Sequence, residues 1–269
     1  MIDLIIPALA LAATGAVAGV LAGLLGVGGG IVLVPAYFYV FSAAGFGGPG
    51  VMQLCLATSL ATIIVTSARS VMAHHRKGAV DWDVLRGWAP GIAVGALIGS
   101  QTVGALRTET LQIIFGVMVA VIAVYMMVSR VHWRLADDMP TGWRRWIFAP
   151  FTGFISVLLG IGGGSIGVPL MTLHGRAIHR AVATAAGFGV LIAVPSVLAF
   201  LLMPVPNPPP LTVGSVNLPA FALTIAMTMM TAPIGADLAH RTDPKRLKRY
   251  FAFFLLLVGL NMLRKALMG

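Results

Sequence analysis

Long apolar segments separated by short polar loops cover most of the chain. Six of these segments are about as long as a membrane-spanning helix: 51–73, 88–106, 110–128, 182–203, 218–239 and 250–268. A helix needs about 20 apolar residues to cross the hydrocarbon core of a bilayer. Two further apolar stretches, within residues 4–45 and 146–173, are interrupted by clusters of glycine. The pattern predicts an all-α polytopic membrane protein.

Composition supports this prediction and excludes a soluble globular enzyme. Hydrophobic residues make up 58% of the 269 residues and charged residues only 10%, whereas soluble domains have roughly 45–50% and about 25%. The net charge of +10 would suggest a nucleic-acid partner in a soluble protein. Here the basic residues lie in short loops between apolar segments, so we expect contact with a lipid bilayer and no nucleic-acid partner.

Basic residues are concentrated in four loops, within residues 76–86, 130–145, 176–180 and 241–249. Cytoplasmic loops of membrane proteins carry an excess of lysine and arginine. When all four loops are placed in the cytoplasm, the six segments alternate in direction without conflict. This orientation puts the N-terminus and residues 45–50 outside.

The stretch 146–173 must then begin and end in the cytoplasm. Its second arm, Ser165–Leu173, has nine residues and reaches only about 14 Å as a helix. Such an arm cannot cross the bilayer, so the stretch is predicted to be a re-entrant hairpin that turns at its glycines. The same reasoning predicts a hairpin over 4–45 that dips in from the opposite face.

The two glycine clusters are copies of each other. Residues 23–35 read GLLGVGGGIVLVP and residues 157–169 read VLLGIGGGSIGVP, with eight identities in 13 positions. Each half has one hairpin and three spans, which gives a first repeat over 1–130, a cytoplasmic linker over 131–145 and a second repeat over 146–269. Because each half crosses the membrane an odd number of times, the second repeat is expected to be inverted relative to the first.

Inverted repeats with glycine-broken segments in matching positions are typical of secondary transporters that bind their substrate near the midplane. Free N–H groups and positive helix ends near such turns favour an anion. The alternative is that the glycines only let helices pack closely. The predicted backbone site consists of Gly28, Gly29, Gly30, Gly162, Gly163 and Gly164.

Hydroxyl groups recur along the segment 51–73. Thr58, Thr62 and Thr66 are four residues apart and Arg69 continues their face, so the group could donate hydrogen bonds to an oxyanion. Alternatively, the threonines bond their own helix and Arg69 extends toward the membrane surface. Thr184 corresponds to Thr58 in the second repeat. Further candidate donors on this segment are Gln53, Ser59, Ser67 and Ser70, and Ser165 directly follows the second glycine cluster.

Several of these motifs carry a resemblance to a known family. The duplicated GxGGGxxxVP pattern, the Ala-Thr pairs at 57–58 and 183–184, and the loop AHHRKGAVDW at 73–82 resemble the TauE/SafE sulfite-exporter family over nearly the whole chain. The resemblance implies a multi-pass protein of the plasma (inner) membrane of a prokaryote. It also implies transport of sulfite, sulfonates such as sulfoacetate, or related small anions. We therefore expect an exporter, with no catalytic residues and no cofactor.

Other functions remain open at the level of the sequence. A non-transporting membrane scaffold or accessory subunit is the main alternative and predicts a packed centre, and an anion channel is a further one. The loop histidines and 14 methionines suggest a metal transporter as another function. However, no histidine lies in the middle of a span, so no metal site is expected. The eight acidic residues all lie in loops or near span ends, which favours uncoupled or weakly coupled efflux. The oligomeric state is left open.

Overall fold

The computed structural model describes residues 2–25, 30–128, 134–241 and 244–268, and most of them are helical. In chain order the elements are α1 (Ile2–Leu25), α2 (Gly30–Phe41, continued by a π-helical turn, Ser42–Phe46), α3 (Val51–Arg76), α4 (Trp82–Ala105), α5 (Thr108–Val128), α6 (Gly142–Leu158), α7 (Gly164–Leu173), α8 (Ile178–Leu201), β1 (Thr212–Val213), β2 (Val216–Asn217), α9 (Leu218–Arg241) and α10 (Pro244–Met268).

The described helices have the lengths and hydropathy of a polytopic membrane protein. Within the described residues, five helices are long and apolar enough to span a bilayer: α3, α5, α8, α9 over Leu218–Gly235, and α10 over Arg249–Met268. The sixth predicted span, 88–106, falls in α4, which has 24 residues. Each predicted span thus corresponds to a helix.

A short β-hairpin interrupts the otherwise helical chain between α8 and α9. Strands β1 and β2 pair antiparallel, with Thr212 opposite Asn217 and Val213 opposite Val216. Prolines at 204, 206 and 208–210 end the preceding helix because proline lacks the N–H group that a helix requires. Gly214, with a φ of 59°, then closes a tight turn between two valines.

Helices α3 and α8 pack against each other at the centre of the molecule, and α3 is the most buried of the candidate spans. Around them, α1 packs on α9, α4 on α6, and α5 on α10. Glycines line these contacts: a methyl group at Gly116 of α5 would lie 2.8 Å from the carbonyl oxygen of Gly259 in α10. Small residues let membrane helices approach this closely. Large apolar side chains of α5 and α10, such as Val121 and Leu257, are exposed on the outside, as expected for surfaces that face lipid.

The loops gather at two opposite ends of α3 and α8. At one end, which we call the basic end (residues 74–86, 134–145 and 174–180), the backbone N–H of Leu135 donates to Leu173 O at 2.8 Å, and Arg176 lies 3.8 Å from Asp81. At the other, the proline-rich end (residues 45–50, 106–109 and 203–215), Gln53 Nε2 donates to Leu106 O at 2.7 Å. The loops predicted to share a side of the membrane therefore lie together.

Candidate functional site

The second glycine cluster forms a tight turn between α6 and α7. The N–H of Gly160 donates to Val157 O at 2.9 Å, and the N–H of Ile161 donates to Ser156 O at 3.0 Å. Gly160 has a φ of 58°, so these bonds form a Schellman motif in which glycine ends the helix. Helix α7 begins three residues after Ile161, at Gly164. The cluster therefore breaks the helix, as predicted.

This turn lies beside the middle of the two central helices. A methyl group at Gly162 would lie 3.3 Å from Ile63 of α3, and one at Gly163 would lie 2.8 Å from the backbone nitrogen of Gly189 in α8. Ile63 is 12 residues from the start of α3 and 13 from its end, or about 18 Å and about 20 Å along the axis. The turn is therefore far from both ends of the molecule.

The first glycine cluster reaches the same place. Gly28 and Gly29 lie outside the described residues, but Gly30 begins α2. A methyl group at Gly30 would lie 2.7 Å from Gly160 O and 3.1 Å from Ile161 Cα. The start of α2 therefore touches the second turn. Both are buried, so the centre of the molecule is packed closed around them.

Hydrogen-bond donors surround the second turn. Ser59 donates its hydroxyl to Gly160 O at 2.7 Å. The Ser165 hydroxyl oxygen is buried in the first turn of α7 and has no hydrogen-bond partner among the described residues. The first N–H groups of a helix have no partner within it, and they carry a partial positive charge. The start of α7 thus combines backbone donors with a free hydroxyl, a combination that can bind an oxyanion.

Thr58 and Thr184 make matching contacts away from this turn. The N–H of Asn217 donates to Thr58 Oγ1 at 3.1 Å, and the N–H of Asp81 donates to Thr184 Oγ1 at 2.9 Å. Asn217 in turn caps α9, and Asp81 caps α4, by accepting from backbone N–H groups. The two threonines therefore fix the starts of α9 and α4, and substrate binding by their hydroxyls stays a prediction.

The other residues of the threonine face lie apart from the second glycine turn. Thr62 donates to Thr58 O at 3.0 Å in its own helix, close to the hydroxyl of Tyr37, which donates to Thr224 of α9 at 2.8 Å. The exposed Arg69 side chain donates to the sulfur of Met229 at 3.3 Å. Arg69 is thus on the outer surface of the helix bundle, and the structure does not bring it to the second glycine turn.

For the face of α3 that meets the second turn, the sequence named Ser59 and Ser67 as donors but missed Leu56 and Ile63. Leu56 packs against Gly160, and Ser59, Ile63 and Ser67 form a stripe that faces the turn, with the Ser67 hydroxyl 3.7 Å from a methyl group built on Gly162. The four-residue spacing of the stripe is visible in the sequence, but the neighbouring threonine face has the same spacing and is more polar. Gly189 of α8, which contacts both Ser67 and Gly163, was also absent from the predicted site.

Two further features bear on what the molecule can bind. Among the described residues, no group of three or more His, Cys, Asp or Glu side chains could hold a metal ion. A cavity of about 560 Å³ opens at the proline-rich end, between the first turn of α3 and the loops after α4 and α8. Gln53 lines this cavity, about 15 Å along α3 from Ile63.

A family model and two relatives named as membrane transporters match nearly the whole chain. The family described as sulfite exporter TauE/SafE matches residues 11–262. A probable membrane transporter protein of Haemophilus influenzae is 33% identical over 253 residues, which cover 93% of this chain and 96% of that protein. One of Methanocaldococcus jannaschii is 24% identical over 256 residues, covering 93% and 92%. No solved structure matches the chain.

Proposed function

Since the chain belongs to the sulfite exporter TauE/SafE family and is a membrane transporter like its relatives, we propose that it exports a small sulfur-containing anion. The proposed substrate is sulfite or an organic sulfonate, carried out across the plasma membrane of a prokaryote. It binds at the midplane, between the two glycine-rich turns. The relatives are named as transporters, and no catalytic step is part of the proposal.

The contact between Gly30 and the Gly160–Ile161 turn carries this proposal. Backbone that is not helical is tolerated at membrane depth only where it is buried in protein or lines a cavity. The Gly160–Gly163 turn is such a segment, and the start of α2, from the opposite half of the chain, meets it beside the middle of α3. The backbone N–H groups at the start of α7 and the Ser165 hydroxyl, which has no partner among the described residues, follow this turn directly in the chain, and such groups bind an oxyanion.

The packing of the helices supports two inverted repeats. If α1–α5 correspond to α6–α10, the contact of α1 with α9 corresponds to that of α6 with α4. The contacts of α3 with α8 and of α5 with α10 each join two corresponding helices, so they are unchanged when the halves are exchanged. The hydrogen bonds follow the same symmetry: Thr58 of α3 bonds the capping residue of α9, and Thr184 of α8 bonds the capping residue of α4. This pattern is the one that a twofold axis between the halves produces.

Two re-entrant hairpins are supported by where their arms begin and end. In the second repeat, the segment before α6 bonds the end of α7, through Leu135 and Leu173 at the basic end. Helix α7 has ten residues and reaches only about 15 Å. In the first repeat, α1 runs parallel to α9, since Gly15 lies against Thr224 and Gly19 against Thr228. Helix α1 therefore starts at the proline-rich end, to which α2 returns.

The direction of transport follows from charge. An inside-negative membrane potential drives each negative charge outward by about 2.3 kcal/mol per 100 mV. Such a drive makes export of an anion favourable without a coupled proton. The excess of basic residues places the basic end in the cytoplasm and the N-terminus outside.

Flux into and out of proteoliposomes tests the proposal. Purified protein is expected to carry sulfite and sulfoacetate, with saturation and with acceleration by a counter-anion on the far side. Gly162→Ala narrows the turn at Ile63 and is expected to lower the flux at least about tenfold, because small displacements at a binding site are costly. Gly48→Ala is the matched control, since a methyl group there has no neighbour within 4 Å.

The same measurement separates the alternatives. A non-transporting scaffold would also have a packed centre, but it predicts no flux of any of these anions. A channel predicts flux that neither saturates nor responds to a counter-anion. Unchanged flux in Gly162→Ala would contradict the proposed position of the substrate.

A further inference from the structure

Three residues of α3 form a stripe along the second glycine turn. Ser59, Ile63 and Ser67 are four residues apart, so they share one face of the helix. All three are buried. Ser59 donates to Gly160 O at 2.7 Å, and the other two face Gly162. An apolar side chain therefore separates two hydroxyl groups where the predicted substrate path passes.

Ile63 occupies the junction of the two glycine-rich segments. Its Cδ1 atom lies 2.9 Å from a methyl group built on Gly30, and its Cγ2 atom lies 3.3 Å from one built on Gly162. The side chain is fully buried. It thus contacts both segments at once. Protein interiors are close-packed, so a solute that enters between the segments has to displace the Ile63 side chain.

Among the described residues, α8 places a glycine, Gly189, beside Gly162 rather than a large side chain. When the Ala-Thr pairs at 57–58 and 183–184 are used to align the sequences of the two central helices, Ile63 corresponds to Gly189. The two serines of the stripe then correspond to Ala185 and Ala193. Gly189 contacts Gly163 and Ser67 from the α8 side. Phe188, the large α8 side chain beside the turn, lies against Gly163 and Gly167 rather than against Gly30 or Gly162. Where Gly30 and Gly162 meet, the large side chain is therefore Ile63 of α3.

We propose that Ile63 is the size-determining residue of the passage between the two glycine-rich turns. This inference rests on the proposed function, since it concerns the same path. Ile63→Val removes one methyl group and Ile63→Ala removes most of the side chain. Each step widens the junction without changing its hydroxyl groups or its backbone donors. The larger of two anions gains most from the added width.

The first test is a ratio of fluxes in proteoliposomes. Wild type, Ile63→Val and Ile63→Ala are each assayed with sulfite and with the bulkier sulfoacetate. The ratio of sulfoacetate to sulfite flux is expected to rise stepwise, reaching about tenfold or more in Ile63→Ala, since one or a few methylene groups discriminate substrates by such factors. Ile92→Ala, which truncates an equally buried isoleucine in α4, is expected to leave the ratio unchanged. A wild type that transports, with equal ratios in all variants, overturns the inference.

The second test needs no transport and remains informative if the wild type carries neither anion. Ser59→Cys is made in a Cys55→Ala background, with and without Ile63→Ala or Ile63→Val, and vesicles are treated with a sulfonate-bearing methanethiosulfonate reagent from the basic-end side. Loss of the Ile63 side chain is expected to raise the rate of modification at position 59 at least about tenfold, because the reagent no longer meets a packed junction. An unchanged rate in folded Ile63→Val and Ile63→Ala protein overturns the inference, whereas absent wild-type flux overturns only the proposed function.

Discussion

At the scale of single residues, Gly163 in the second turn has no room for a side chain. A methyl group at Gly163 would collide with Ala185 O and Phe188 Cβ and would lie 2.8 Å from Gly189 N. Overpacking of this kind costs about 1–3 kcal/mol. We expect Gly163→Ala to lower the thermal unfolding temperature in detergent, and Gly48→Ala, in an open loop, to leave it unchanged. Equal unfolding temperatures for the two variants would contradict the packing described for this turn.

Two buried serines give a matched pair for the hydrogen bond across the centre. Ser59 donates to Gly160 O at 2.7 Å in a different element, whereas Ser100 donates to Ala96 O at 2.8 Å in its own helix. Ser59→Ala leaves a buried carbonyl group with fewer partners, which costs about 1–3 kcal/mol. Ser100→Ala is expected to cost less, because Ala96 O keeps its helical partner. Chemical denaturation of both variants measures the difference, and a larger loss for Ser100→Ala would contradict the assignment.

At the scale of elements, helix positions were predictable and helix faces were not. Apolar length alone locates α3, α5 and α8, and the glycine cluster locates the break before α7. Helix α4 begins at Trp82, six residues before the predicted span, because Asp81 accepts a bond from Val84 N and caps it. The sequence offers two stripes of α3 with the same spacing, and only packing against α7 and α9 decides which faces the turn. The threonine stripe was predicted to bind the substrate because it is the more polar one, yet in the structure its hydroxyls bond backbone groups.

The two threonine contacts between halves predict equal effects. Thr58→Val and Thr184→Val keep the side-chain shape but remove the acceptor for the N–H of Asn217 and of Asp81. Each loss leaves a donor without this partner and is expected to cost about 1–3 kcal/mol. The contacts share no partner, so the double variant should lose the sum of the two. Unfolding in denaturant measures all three.

Thr102→Val is the control for these variants. Thr102 is half-buried and its hydroxyl donates to Ile98 O of its own helix, at 2.9 Å, so little change in stability is expected. If Thr58→Val and Thr184→Val matched this control, the contacts between the halves would not hold the starts of α9 and α4.

At the scale of the whole molecule, charge and packing divide the chain in the same way. The packing of α3, α4 and α8 brings three of the basic loops to one end, where Arg145 lies beside Gly87 and Arg176 beside Asp81. The proline-rich end contains one described loop cation, Arg107, which lies 3.5 Å from Glu109. The hydropathy pattern predicted this grouping without any knowledge of contacts. The contacts group the loops without any reference to a membrane, so the agreement supports both.

Labelling of single cysteines tests this division and its orientation together. In a Cys55→Ala background, Gly48→Cys and Pro208→Cys place a thiol at the proline-rich end, and Thr141→Cys and Ala177→Cys place one at the basic end; all four positions are exposed. A membrane-impermeant maleimide added to intact cells is expected to label the first two, and to label the other two only after permeabilisation, because basic loops stay in the cytoplasm. The reverse pattern would invert the molecule and turn the proposed export path around. Mixed labelling within one end would contradict the hairpins, since Gly48 follows the first hairpin and Ala177 follows the second.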